Sequence, residues 1–409
     1  MATTTTTPTT RRYRLGFWGV ALAFTTVLAF TTVPTPLWSL YARRDGFSSF
    51  MIAVIFAAYA VGVVVSLFLA GHVSDWLGRR RVLAAALLLN ILAGVAFLLW
   101  PEVPGLLVAR MVSGVGIGAV TATATAWLVE LRPGDRRRAE IVAAAANLGG
   151  LGAGALISGV LAQWVRSPLS VPFAVFIAAL VIALALVLAA PETRRPARSL
   201  PSYRPQRVTV PRAARGRFFA AATAAAITFA VFGLLTSLAP TFLAGTLHDR
   251  SHALAGAITF AVFATAALTQ RLTASRTAAD LLASAIPAML LGLGLLTLAV
   301  WLPHPSLAVF VAGVLVTGLG SGLMFRGAMG TVSALASEDH RAETLAGLFL
   351  AAYIGLALPV IGLGLLTQLL TAQLSLLVFA GLLAGALLLA TPELLGHPTR
   401  RLHPHPALR

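Results

Sequence analysis

The chain contains no cysteine and no lysine. Without thiols it forms no disulfide and does no thiol chemistry. Without lysine it cannot carry the G-x-x-x-x-G-K-[ST] loop that cradles nucleotide phosphates. No H-E-x-x-H occurs, and His403 and His405 lie in the C-terminal tail. Charge is also scarce. Only 11% of the residues are charged, against about 25% in soluble domains. The acids number thirteen: Asp45, Asp75, Glu102, Glu130, Asp135, Glu140, Glu192, Asp249, Asp280, Glu338, Asp339, Glu343 and Glu393. All fall in or near the breaks between apolar runs, none in the middle of one. The expectation is a protein that is not an enzyme, with no cofactor and no metal.

Hydrophobic residues make up 58% of the 409. Such a chain cannot be solvated as one globule. Twelve apolar spans, each near the roughly 20 residues that cross a bilayer, are expected at 15–41, 47–71, 82–101, 105–130, 139–163, 169–190, 218–246, 252–271, 278–302, 305–333, 342–370 and 373–394. The fold class expected is therefore an all-α polytopic membrane protein with twelve transmembrane helices. No small-residue cleavage site follows the first run, which reads as a retained helix. The net charge of +17 might point to nucleic acid, but its distribution argues against that. All basic residues are arginine, and most sit in the breaks on one side of the spans. Arg43, Arg44, Arg166 and Arg250 lie on the other side, and Arg110 and Arg326 within spans. Positive residues stay inside, so both termini are expected in the cytoplasm; the arginine-only, alanine-rich composition suggests a bacterial gene, and so a bacterial plasma membrane.

The spans divide as 1–14, a disordered tail; 15–190, a first half; 191–217, a linker; 218–394, a second half; and 395–409, a second tail. The linker holds five prolines and eight arginines with no helical periodicity; contact with anionic lipid is one use for it. The halves repeat. Pro36 returns as Pro240 and Gly114-x-Gly116-x-Gly118 as Gly318-x-Gly320-x-Gly322, each 204 residues on. Arg138-Ala-Glu140 returns as Arg341-Ala-Glu343, and Pro191-Glu192 as Pro392-Glu393. One order at nearly one offset indicates a duplication.

Between spans 2 and 3 lies Gly71-His-Val-Ser-Asp75-Trp-Leu-Gly78-Arg79-Arg80-Arg81. The pattern G-x-x-x-D-x-x-G-R-R resembles the signature loop of the major facilitator superfamily. The usual form has arginine after the aspartate, where this chain has Trp76. Span 4 adds Arg110-x-x-x-Gly114-x-Gly116-x-Gly118, which resembles the family's helix-4 signature. Asn147-Leu-Gly149-Gly150-Leu-Gly152-Ala-Gly154 is similar to the helix-5 signature but lacks its proline. Thr35-Pro36-Leu37-Trp38 resembles a run in bacterial efflux members. The resemblance spans Leu15 to Glu393. It implies the major facilitator fold, two pseudo-symmetric six-helix halves, and secondary active transport by alternating access.

It also implies roles. Gly71, Asp75, Gly78, Arg79, Arg80, Arg110 and Glu130 are expected in gating and coupling. Asp75 would meet the start of span 11 near Glu343, and Arg79 and Arg80 would bridge to Glu130 and Glu192. Arg110, a buried arginine that is costly unless paired, is linked to proton transfer in proton-coupled members. The glycines Gly114, Gly116, Gly118, Gly318, Gly320 and Gly322 have the plainer role of close helix packing. Cavity candidates are Thr35, Trp38, Tyr59, Thr121, Thr125, Asn147, Phe229, Phe232, Thr236, Arg326 and Tyr353. Arg326 is expected either to pair with Asp280 or to hold an anionic group. No acid stands mid-membrane in span 1, which offers Thr25, Thr26, Thr31, Thr32 and Thr35 instead. Proton coupling would then run through Asp75 and Arg110, or through the substrate's own ionisation. The reading is a monomeric, drug:proton antiporter-like exporter of a small lipophilic drug or metabolite, with protons and membrane lipids as partners and no nucleic acid. The alternatives are an importer or uniporter of a small organic anion using Arg110 and Arg326, and a transport-inactive ligand-binding membrane protein.

Overall fold

The computed structural model describes residues 8–70, 74–194, 208–210, 212–247, 249, 251–337 and 340–396, with only the backbone of 8–10, 70, 74–75 and 213. Twelve helical stretches among them are long and apolar enough to cross a membrane. In chain order the helices are α1 (Pro8–Thr32), α2 (Trp38–Asp45), α3 (Ser49–Ala70), α4 (Ser74–Leu77), α5 (Arg79–Leu99), α6 (Val103–Leu131), α7 (Arg136–Trp164), α8 (Val171–Ala189), α9 (Arg215–Ser237), α10 (Ala239–Gly245), α11 (His252–Leu272), α12 (Ala278–Trp301), α13 (Leu307–Leu335), α14 (Arg341–Leu369) and α15 (Ala372–Leu395). No strand is present among the described residues. The architecture is the expected all-helical, twelve-span bundle.

Local chemistry sets the breaks. Pro34 and Pro36 have no amide hydrogen to continue the α1 ladder. A 3-10 turn, Thr35–Leu37, separates α1 from α2 there. Pro240 does the same work in the repeat, where the span expected at 218–246 splits into α9 and α10. Side chains close several helix starts: Asp135, Ser251, Thr277, Ser306 and Thr371 each accept a backbone N–H from the first turn. Such caps are worth about 1 kcal/mol apiece.

Two expectations need correction. Helix α1 begins at Pro8, so 8–14 is helical rather than part of a disordered tail; 1–7 lie outside the described residues. The linker is helical from Arg212 onward, as a 3-10 turn that runs into α9. Its Thr209 carbonyl accepts a hydrogen bond from the Thr344 hydroxyl at 2.9 Å, which lays Val208–Val210 against the start of α14.

Small residues bring the helices together. A Cβ on Gly114 would collide with the Tyr59 carbonyl, and one on Gly118 would lie 2.7 Å from the Val63 carbonyl, both on α3. On Gly116 it would meet Asn90 of α5. In the second half, Gly318 and Gly322 press on Val262 and Ala266 of α11, and Gly320 on Met289 of α12. The same face of α6 and of α13 is thus cleared for the same neighbours.

A central cavity between the two halves

A cavity of about 720 Å³ runs along the interior of the bundle. Its mouth is lined by Glu130, Arg136, Glu140 and Gln270. Arg136 and Glu140 pair at 2.8 Å with side chains 78% and 53% exposed, so the cavity reaches solvent there. This is the end where α1 begins and α15 finishes. Its inner end reaches Thr35, Phe56 and Tyr59. Beyond that point the halves touch. A Cβ on Gly364 of α14 would sit 2.9 Å from Ala53 of α3, one on Gly159 of α7 would hit the His252 carbonyl, and one on Gly256 of α11 the Ala155 carbonyl. The Gln163 side-chain carbonyl accepts from the His252 backbone N–H at 2.9 Å and lies 3.4 Å from the Ser251 hydroxyl. One end of the cavity is open and the other is sealed.

The two walls differ. One carries Arg110, Thr121, Thr125 and Asn147 from α6 and α7. The other is aromatic, with one side chain after another in contact. Phe229 of α9 lies 5.4 Å from both Phe325 of α13 and Tyr353 of α14, Phe232 lies 4.7 Å from Phe263 of α11, and Phe349 lies 6.2 Å from Phe325. The hydroxyls of Thr31 and Thr236 donate to carbonyls of their own helices, and that of Thr32 to the Leu151 carbonyl of α7 at 2.7 Å as well as to Ala29.

Of the expected cavity residues, Thr35, Tyr59, Thr121, Thr125, Asn147, Phe229, Phe232, Thr236 and Tyr353 line this space. Trp38 does not. It is 1% exposed and packs beside Tyr41, with a centroid distance of 6.1 Å. Arg326 does not line it either, and it forms no pair with Asp280. Its guanidinium donates to the Gln270 carbonyl at 2.7 Å and the Ala274 carbonyl at 2.9 Å. Gln270 is in the last turn of α11 and Ala274 in the turn just after it, where a cation meets the negative end of the helix dipole. Asp280 instead accepts from the Thr277 hydroxyl at 2.7 Å. Phe56, Phe263, Phe325 and Phe349 line the cavity and were missed from the sequence.

Arg110 is 2% exposed. It donates to the Thr31 carbonyl at 2.8 Å, and its guanidinium lies 4.5 Å from the Tyr59 ring centre and 5.3 Å from that of Phe56. Its Nε has no partner, and among the described residues no carboxylate pairs with it. Ring faces and one carbonyl stabilise the cation only in part.

At the mouth, Gly78 has φ +93° and ψ +152°, a conformation essentially restricted to glycine. A Cβ there would also lie 2.8 Å from a Glu192 carboxylate oxygen. That carboxylate accepts from the backbone N–H groups of Arg79, Arg80, Thr193 and Arg194 at 3.0–3.2 Å. It closes the start of α5. The Arg79 side chain donates to Glu130 at 3.0 Å, and the Thr193 hydroxyl donates to the same carboxylate. The expected Arg79–Glu130 bridge is present. Glu192 is reached through backbone amides, not through the arginine side chains. Gly71 and the Asp75 side chain lie outside the described residues.

A sequence profile of the Major Facilitator Superfamily matches residues 19–284, more than half of the chain. Two curated relatives match over short stretches. The arabinose-proton symporter of Bacillus subtilis (strain 168) is 31% identical over 86 residues, 21% of this chain and 18% of that protein. The D-xylose transporter of Levilactobacillus brevis is 28% identical over 83 residues, 20% of this chain and 18% of that one. The chain thus matches less than a quarter of the length of these relatives. Solved structures match over nearly all of it. A bacterial homolog of the human lysosomal transporter Spinster, inward-facing and unoccupied, aligns with a TM-score of 0.71 at 16% identity, covering 95% of this chain and 98% of that one. The nucleoside transporter NupG aligns at 0.70 and 15%, and the human organic anion transporter MFSD10 at 0.67 and 18%, each covering 92% of this chain and 99% of the other. At such identities the likeness is one of fold.

Proposed function

The chain belongs to the Major Facilitator Superfamily, and we propose from that premise that it exports a small, largely apolar organic compound by alternating access, driven by the proton-motive force. The coarser statement needs no proposal: it is a secondary transporter of the membrane, not an enzyme. The observation that carries the finer one is the cavity. It is open at one end, sealed at the other by close helix contacts, and walled largely by aromatic and aliphatic side chains. An apolar space with a few placed polar groups suits a lipophilic ligand.

The arginine-rich end, where the cavity opens, is assigned to the cytoplasm of a bacterium. A monomer in the plasma membrane is then loaded from within. A sugar, which the names of the short-range relatives would suggest, fits this cavity less well. A sugar's hydroxyls need many partners, and most of this lining is aromatic or aliphatic, with Thr31, Thr32 and Thr236 already donating to backbone carbonyls. Glu130 and Glu140 at the mouth are the acids that line the cavity, so among the described residues no carboxylate stands beside Arg110 to relay a proton.

The test is accumulation of lipophilic compounds in an efflux-deficient bacterium that expresses the wild type or Arg110→Ala at matched levels, with and without a protonophore. The expected result is lower accumulation of at least one compound, abolished by the protonophore and by the substitution. Higher accumulation of that compound on expression reverses the direction, and no change for any compound removes the transport reading.

A further inference from the structure

Arg110 is a cation at the sealed end of an apolar cavity, with no counterion among the described residues. The other charged groups lining the cavity, Glu130, Arg136 and Glu140, stand at the mouth. A buried arginine without an acid is expensive, and here rings and one carbonyl are its described partners. One terminal nitrogen is engaged with Thr31, while Nε is buried without a partner. The Nε edge of a guanidinium is a two-pronged donor that matches a carboxylate. Across the cavity the wall is aromatic, centred on Phe229, Phe325 and Tyr353. By the repeat, the second-half counterpart of Arg110 is Val314, so the facing half supplies no matching cation at the sealed end.

We propose that the transported compound is an amphipathic aromatic monoanion, an aryl-substituted carboxylate whose charge pairs with Arg110 and whose ring enters the aromatic wall. The inference rests on the transport reading above and narrows its substrate class. One cation offsets one negative charge, which favours a monoanion over a dianion. The pairing gives the guanidinium the counterion that the described residues do not supply. It also accounts for the missing acid: an inside-negative membrane potential favours moving a negative charge outward, so export of an anion needs no carboxylate relay. A plain structural role for Arg110 would leave the cavity indifferent to ligand charge.

The test uses the full chain in lipid nanodiscs and three radiolabelled probes of one shape: 1-naphthylacetate, its neutral amide, and 1-naphthylethylamine. Equilibrium dialysis measures binding of each to the wild type, Arg110→Gln, Arg110→Lys and Phe325→Leu. The wild type is expected to bind the acid at least about tenfold more tightly than the amide, and the amine most weakly. Arg110→Gln is expected to bind acid and amide alike, and Arg110→Lys to keep part of the preference. Phe325→Leu is expected to weaken all three by similar factors. Equal binding of acid and amide by the wild type, preference for the amine, or binding of none of the three overturns the proposal. If Arg110→Gln does not fold, the wild-type series and Arg110→Lys still decide. Anion preference without export of any compound from cells would remove the transport reading and leave the anion site. Export of neutral compounds without anion preference would do the reverse.

Discussion

Gly78 and Glu192 form one unit, and a double-mutant cycle measures it. Any side chain at Gly78 must adopt φ +93° and ψ +152°, at a cost of about 1–3 kcal/mol. Its Cβ must also displace the Glu192 carboxylate, 2.8 Å away. That carboxylate serves the first amides of α5, among four backbone N–H groups in all. Losing such a cap costs roughly 1–2 kcal/mol. Gly78→Ala therefore pays for strain and for most of the lost cap, a total of roughly 2–5 kcal/mol. Glu192→Ala loses the cap alone. In the double variant nothing is left for the Cβ to displace, so the two costs must not add. The shortfall should be about 1–2 kcal/mol. The assay is reversible unfolding by SDS in mixed micelles, followed by tryptophan fluorescence. Costs that add to within about 0.5 kcal/mol would refute the claim that Gly78 is glycine because Glu192 sits behind it.

Further outcomes follow from the same contacts. Arg326→Gln removes two charged hydrogen bonds at the end of α11 and should destabilise the protein by about 2 kcal/mol while leaving the affinity ratio among ligands unchanged; a selective loss of anion affinity would return Arg326 to the binding site. Gly159→Val drives a side chain into the His252 carbonyl at the sealed end, so the halves should part there, and a thiol-reactive probe applied from that side should reach the cavity faster than in the wild type. Gln163→Ala removes the acceptor for Ser251 and His252 across the same seam and should shift accessibility in the same direction by a smaller factor, about threefold to tenfold for a contribution near 1 kcal/mol; no shift would mean the seal rests on helix packing alone.

Much of the bundle was legible because bilayer-length apolar runs and arginine-rich breaks are coarse signals. The break at Pro34 and Pro36 was legible because proline lacks an amide hydrogen. The Arg79–Glu130 bridge was visible as a pattern, but the way Glu192 binds was not, since backbone amides carry no sequence signal. The aromatic wall was only half seen. The repeat offset of 204 places Phe263 opposite Tyr59 and Phe325 opposite Thr121, both expected cavity positions, so carrying the duplication through would have found them. Arg326 was misjudged for a different reason. Its side chain is long enough to leave the cavity and reach the last turn of α11, a choice that register alone does not reveal. The start of α1 at Pro8 was missed because threonine and arginine give no apolar period, although proline opens helices well.

The absence of native cysteine makes one measurement direct. Thr121→Cys places a single thiol on the cavity wall, and a membrane-impermeant maleimide can be applied from either side, in everted vesicles and in intact spheroplasts. The account predicts fast labelling from the arginine-rich side and slow but measurable labelling from the other. Adding Gly159→Val should lower the first rate and raise the second. Labelling from one side only, unchanged by Gly159→Val, would contradict alternating access through this cavity.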